Sequence, residues 1–193
     1  MLELIQTINN KIYKLFFLIF YSKSFNKFGS NSTLRFPFEI NGAKFISIGN
    51  KVHIQTNAWF LALKNNNVRP NLIIEDNVYV GRGFHVVCIK DVKIKANVLI
   101  SDNVYISDNL HEYKDINIPI KEQEVIFKNN VIIGENTWLG ENVCVIGAQV
   151  GRHCVIGANS VVLSDIPDYS VAVGSPAKVV KQFNQKTNKW ERL

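Results

Sequence analysis

The sequence predicts an all-β solenoid of triangular coils, and three observations carry that reading. Aliphatic or aromatic residues recur at a step of six in four sets: Ile48, Ile54 and Phe60; Ile74, Val80 and Val86; Ile94, Ile100 and Ile106; Phe127, Ile133, Leu139 and Val145. Four places after most of them stands a small or β-branched residue, namely Val52, Ala58, Val78, Val98, Val104, Val131, Thr137 and Val143. Gly, Asp, Asn or Glu fill the positions between, as in Gly140-Glu141-Asn142. A helix repeats every 3.6 residues and a hairpin strand every two, so neither produces a period of six. One short strand and one turn per hexad does, with three hexads to a coil. The aliphatic and the small residue point inward, and Gly or Asn supplies the turn backbone.

The elements follow in chain order. Ile5, Ile8, Ile12, Leu15, Phe16 and Ile19 fall at helical steps, which predicts an amphipathic N-terminal helix within a lead-in over 1–43. Its apolar run is too short, and too interrupted by Lys14, to span a bilayer. It reads as a helix packed on the main domain, or as an interfacial helix whose Lys11, Lys14, Lys23 and Lys27 face anionic headgroups, giving peripheral membrane contact through 2–28. The solenoid is expected over 44–166. Asn65-Asn66-Asn67 and Arg69-Pro70 mark a loop between coils, and Ile94 to His111 forms one coil without a break. From 112 to 124 the period disappears, charges accumulate and Pro119 opposes strand pairing, so this is an excursion loop. Val145 to Val150 is one residue short of a hexad, after which Val150, Ile156 and Val162 resume the period. The tail, 167–193, is expected to be short and helical.

Composition bounds what such a domain does. The chain has 193 residues, 47% of them apolar, enough for one domain with a substantial core. Lys and Arg total 22 against 16 Asp and Glu, a net charge of +6 that suggests an anionic partner. No nucleic-acid-binding motif accompanies it and the basic residues gather near the two ends, so nucleic acid is not expected. Cys88, Cys144 and Cys154 form no CxxC pair, and their odd number fits a reducing, cytoplasmic setting. No close pair of histidines exists to share a metal, and none is expected.

Four further stretches narrow the reading: Ile106-Ser107-Asp108-Asn109-Leu110-His111 before the excursion; Asn136-Thr137-Trp138-Leu139-Gly140 after it; Val155-Ile156-Gly157-Ala158-Asn159-Ser160; and the tail from Asp165-Ile166-Pro167 to Val173-Gly174-Ser175-Pro176-Ala177-Lys178. In this order they resemble the hexapeptide-repeat acyltransferases, in the branch of galactoside, maltose and xenobiotic acetyltransferases and polysaccharide O-acetyltransferases. The resemblance implies a left-handed parallel β-helix, a homotrimer with sites between subunits, and acetyl-coenzyme A (acetyl-CoA) as acyl donor. It makes His111 the catalytic base, a role suited to an imidazole that titrates near neutrality.

By the same resemblance Trp138 packs beside the donor and a backbone amide at Gly140 or Glu141 faces the thioester oxygen. Ala158 touches the pantetheine arm, and Lys178 and Lys181 face the nucleotide phosphates. The chain departs from its relatives at Leu163-Ser164, where Thr-Lys is common, and carries Lys for Arg at the two tail positions. His85 and Asn109 are candidates for contact with the acceptor. The expected activity is acetyl transfer from acetyl-CoA to a sugar hydroxyl in surface-polysaccharide synthesis, in the cytoplasm or at the inner face of its membrane. The rival readings are N-acetyl transfer to an amino sugar and a non-catalytic solenoid scaffold.

Overall fold

The computed structural model describes residues 12, 13 and 15–193. Short strands pair in parallel, coil upon coil, into three sheets that form the sides of a left-handed β-helix. The period of six appears as three inward ladders. Ile48, Ile74, Ile94, Ile133 and Val150 stack in the first sheet. Leu34, Ile54, Val80, Ile100, Leu139, Ile156 and Ala172 stack in the second. Ile40, Phe60, Val86, Ile106, Val145 and Val162 stack in the third. Apart from the half-buried Ile40, every one of these residues is at most 1% exposed. The ladders are the core, and apolar area withdrawn from water is what holds coil to coil.

The corners explain the abundance of asparagine. Asn57, Asn77, Asn97, Asn103, Asn136 and Asn142 each precede a small inward residue, and each adopts φ between 58° and 61°. Asn enters this left-handed region at lower cost than most side chains. The corner amides then bond along the stack, Asn77 Nδ2 donating to Asn97 Oδ1 at 2.8 Å and Asn142 Nδ2 to Asn159 Oδ1 at 3.0 Å.

Four expectations are corrected. Parallel pairing begins well before residue 44: Lys27–Phe28, Thr33–Leu34 and Phe38–Asn41 form a first coil beneath the next. Phe28, Leu34 and Ile40 carry the same step of six, but aromatic and polar neighbours obscure it.

The N-terminal segment is helical at 12–13 and 15–20, but the stripe named from the sequence does not face the protein. Ile12, Leu15, Phe16 and Ile19 are exposed, while Phe17 is 2% exposed. Phe17 lies about 200° around the helix from Leu15 and Ile19 at roughly 100° per residue. It fills the open end of the first coil, with its ring 6.2, 5.1 and 5.9 Å from those of Phe25, Phe28 and Phe38. Ile5, Ile8, Lys11 and Lys14 lie outside the described residues. No helix among the described residues is long and apolar enough to cross a membrane.

Phe127 is not an inward coil residue. It is half-buried in the strand Val125–Phe127, which pairs antiparallel with Asn109–His111, so the excursion leaves the solenoid on a two-stranded ribbon. The tail is not helical either. Lys178–Asn184 pairs antiparallel with Ser170–Val173, and Lys189–Arg192 pairs antiparallel with Lys178–Asn184. The adjacent β-branched residues Val179 and Val180 favour extension, and Asn188 turns the chain at φ 53°.

Candidate active site

The ribbon root is built around a buried carboxylate. Asp108, wholly buried, ends the strand Tyr105–Ser107 at the point where the chain leaves the coil. Its Oδ2 accepts from the backbone N–H groups of Lys90 and Asp91 at 2.8 and 3.0 Å, and Ile89 N–H donates to Oδ1 at 3.0 Å. Asn109 Nδ2 donates to the same carboxylate at 2.8 Å. The Asp108 carbonyl accepts from Lys128 N–H at 2.8 Å. One residue thus ties the preceding coil's corner to both strands of the ribbon.

His111 projects from that ribbon, opposite Val125. It shares a cavity of about 700 Å³ with His85, Asn109, Tyr105, Lys64 and Glu124. The His111 side chain is exposed, and among the described residues its imidazole makes no hydrogen bond, so both ring nitrogens can meet an incoming group. Asn109 is anchored rather than free, its Nδ2 bonded also to Val87 O at 3.3 Å. His85 stands in the outward row of the third sheet between Trp59 and Tyr105. Burial pushes its imidazole below the usual histidine range, and its Nε2 is buried without a hydrogen-bond partner.

The sequence does not point to Trp59 or Tyr105, and it marks Asn65-Asn66-Asn67 only as a loop between coils, not as part of the site. The signal for the two aromatics was present, since Trp59 and Tyr105 occupy the phase of His85 in the coils on either side. The loop belongs to the site because Asn65 Nδ2 donates to Val125 O at 2.6 Å, fastening it to the ribbon.

Of the residues assigned to the donor, Trp138, Lys178 and Lys181 lie on the second sheet, and Gly140, Glu141 and Ala158 in turns beside it. Trp138 pairs with Val155, Val155 with Val171 and Val171 with Lys181, so all four form one outward row. Three inter-strand steps of about 4.8 Å make that row about 14 Å long, with an indole at one end and an ammonium at the other. Lys178 lies on the same strand as Lys181, opposite Val173. Trp138 is 46% exposed, and its Nε1 donates to Ser101 Oγ at 3.0 Å, fixing the ring.

At the corner beside Trp138, a Cβ on Gly140 would fall 2.7 Å from Ala158 N, so only glycine lets the two turns approach this closely. The Gly140 amide is already committed to Ile156 O at 2.8 Å. The Glu141 amide donates no hydrogen bond among the described residues, and is the one of the pair available to an acceptor. None of Trp138, Gly140, Glu141, Ala158, Lys178 and Lys181 lines the cavity at His111. Within one chain the structure brings the acceptor candidates together and the donor candidates together, but not one set to the other.

Comparison with known proteins agrees with this architecture. The hexapeptide repeat of succinyl-transferase matches residues 130–164. A probable acetyltransferase of Mycobacterium tuberculosis, Rv3034c, is 54% identical over 72 residues, covering 37% of this chain and 24% of that protein. The putative lipopolysaccharide biosynthesis O-acetyl transferase WbbJ of Escherichia coli is 44% identical over 77 residues, 39% of each chain. The chain therefore spans less than half the length of these curated relatives. Among solved structures, the N-acyltransferase AntD from Bacillus cereus, in complex with dTDP and 3-hydroxybutyryl-CoA, superposes with a TM-score of 0.72 at 18% identity. That superposition covers 86% of this chain and 87% of AntD, and the likeness is one of fold. The chain thus carries the hexapeptide repeat at 130–164 and resembles acetyltransferases in sequence over a stretch of 72–77 residues, and hexapeptide-repeat acyltransferases in fold.

Proposed function

We propose that the chain transfers an acetyl group from acetyl-CoA to a saccharide hydroxyl in surface-polysaccharide biosynthesis, as a homotrimer with His111 as general base. The observation that carries this reading is the division of the site. An exposed imidazole with both nitrogens unengaged lines a 700 Å³ cavity on one side of the prism, and the Trp138-to-Lys181 row lies on another. Two neighbouring copies facing each other complete one site from these halves. The name of WbbJ, an O-acetyl transferase of lipopolysaccharide biosynthesis, supports the acceptor class.

The donor row fits coenzyme A chemically. The exposed indole offers an apolar face to the acyl end, and Lys178 and Lys181 present positive charge to phosphates. Acetyl-CoA supplies the thioester carbonyl that the hydroxyl attacks. His111 accepts the hydroxyl proton as the new C–O bond forms, and the Glu141 amide donates to the carbonyl oxygen as negative charge gathers there. The imidazolium then returns the proton to the departing thiolate, leaving His111 neutral for the next cycle.

His111→Ala tests the assignment. Acetyl transfer to saccharide acceptors should fall by about two to four orders of magnitude, with the melting temperature and the light-scattering mass, about three times 21.9 kDa, unchanged. Normal turnover by the variant would remove the base. A second reading, N-acyl transfer to an amino sugar, is favoured by the fold likeness to AntD. An acceptor panel of matched hydroxyl and amino sugars decides between them. A scaffold without activity would show no thermal shift on adding acetyl-CoA.

A further inference from the structure

We propose that the N-terminal cap is a docking surface for an anionic lipid bilayer. The cap has two faces with different partners. Phe17 is buried against Phe25, Phe28 and Phe38 and closes the end of the solenoid. Tyr13 also packs on the core, whereas Ile12, Leu15, Phe16, Ile19 and Phe20 turn away from the protein and are between 47% and 63% exposed. Phe16 packs on Phe20 at 4.7 Å, so these rings form a patch rather than scattered contacts. Phe36, 68% exposed, is a further exposed ring at this end, packed 6.1 Å from Phe38. Contiguous exposed apolar surface of this kind marks an interaction site.

Charge identifies the occupant. From residue 4 to residue 38 the sequence contains no Asp or Glu, but it contains Lys11, Lys14, Lys23, Lys27 and Arg35. Lys23, Lys27 and Arg35, in the segment that follows the helix, are exposed. A second copy meeting this segment through the same segment would set like charges against like, which repulsion opposes. An anionic bilayer complements both features at once, with headgroups for the cations and acyl chains for the rings. Phe17 keeps the helix fastened to the first coil, so docking needs no unfolding of the cap. The solenoid then stands with its first coil toward the lipid.

The test uses the full chain with vesicles of phosphatidylglycerol and phosphatidylcholine, and with vesicles of phosphatidylcholine alone. Co-sedimentation should show binding to the anionic vesicles at least about tenfold tighter than to the neutral ones, weakening as salt is raised. Leu15→Gln with Phe16→Gln and Phe20→Gln should reduce that binding about tenfold or more. Because all three side chains are exposed, melting temperature and mass should not change. Lys23→Glu with Arg35→Glu should abolish the preference for anionic lipid while leaving the apolar patch intact. Negligible binding to anionic vesicles overturns the proposal, as does binding that neither set of substitutions alters. A loss of oligomer mass in the triple-Gln variant would assign the patch to a contact between copies and overturn it equally. Vesicle binding is read without acetyl transfer, so it stands or falls separately from the enzymatic reading.

Discussion

Trp59 lies flat on the imidazole of His85, with ring centroids 4.2 Å apart and planes 8° from parallel. Tyr105 approaches the other side of the imidazole at 5.0 Å. Held between two aromatics, His85 loses hydration that would support its charged form, which is why its proton affinity is lowered. The folded chain therefore resists a proton that the unfolded chain accepts. The stability linked to His85 is complete above the ordinary histidine value, near 6.5, and declines as pH falls from there through the lower folded value. Between neutral and mildly acidic pH the melting temperature of the wild type should drop more steeply than that of His85→Phe, which keeps a ring between Trp59 and Tyr105 but cannot titrate. Parallel declines in the two proteins would show that His85 does not carry the effect.

Asp108→Asn should weaken the ribbon root. The carboxylate accepts from three backbone amides and from Asn109, whereas an asparagine offers one oxygen and turns an N–H toward donors. Leaving buried donors unsatisfied costs about 1–3 kcal/mol each. For a chain of this size that lowers the melting temperature by roughly 2–4 °C per kcal/mol. Acetyl transfer should fall as well, because the strand carrying His111 is no longer fastened to the coil. A variant that loses neither stability nor turnover would show that the corner is held by other contacts.

Lys178→Ala with Lys181→Ala should raise KM for acetyl-CoA more than it lowers kcat. If these lysines meet phosphates at the far end of a row about 14 Å from Trp138, their contribution is the same before and during the reaction. A donor lacking its 3′-phosphate should reproduce part of the effect on the wild type. If the two donors are used equally well by wild type and variant, the lysines have no phosphate role.

The hexads disclosed the inward ladders because an aliphatic side chain every six residues fills one side of a triangle, and no other regular element repeats at that spacing. The same regularity predicted the asparagine corners. Features that depend on contacts between distant segments were not legible in this way. Phe28-Leu34-Ile40 keeps the step, but its end position leaves two of the three half-buried and takes Phe17 as a lid, and helical periodicity alone could not say which face would dock. Phe127 keeps the step as well and serves the ribbon, since its partner is Asn109 rather than a coil residue. The position of His111 at the edge of the excursion was legible from the break in the hexads. The aromatic partners of His85 come from the coils before and after it, and become its neighbours only when coils stack.

The antiparallel tail limits the size of the particle. A stack of parallel coils ends in strands whose free N–H and C=O groups invite another chain to continue it, the geometry from which filaments grow. At the C-terminal end of the second sheet this edge is taken by Lys178–Asn184, running the opposite way, and then by Lys189–Arg192, every residue of which is exposed. A coil from another molecule would meet there a short strand with Lys189, Glu191 and Arg192 along it, charges that strand edges carry against further pairing. In the other two sheets the terminal strands, Gln149–Val150 and Val161–Val162, are two residues long and offer little to template on. Ending the stack on a short, charged hairpin strand thus guards a protein made of self-similar coils against open-ended polymerisation at that edge.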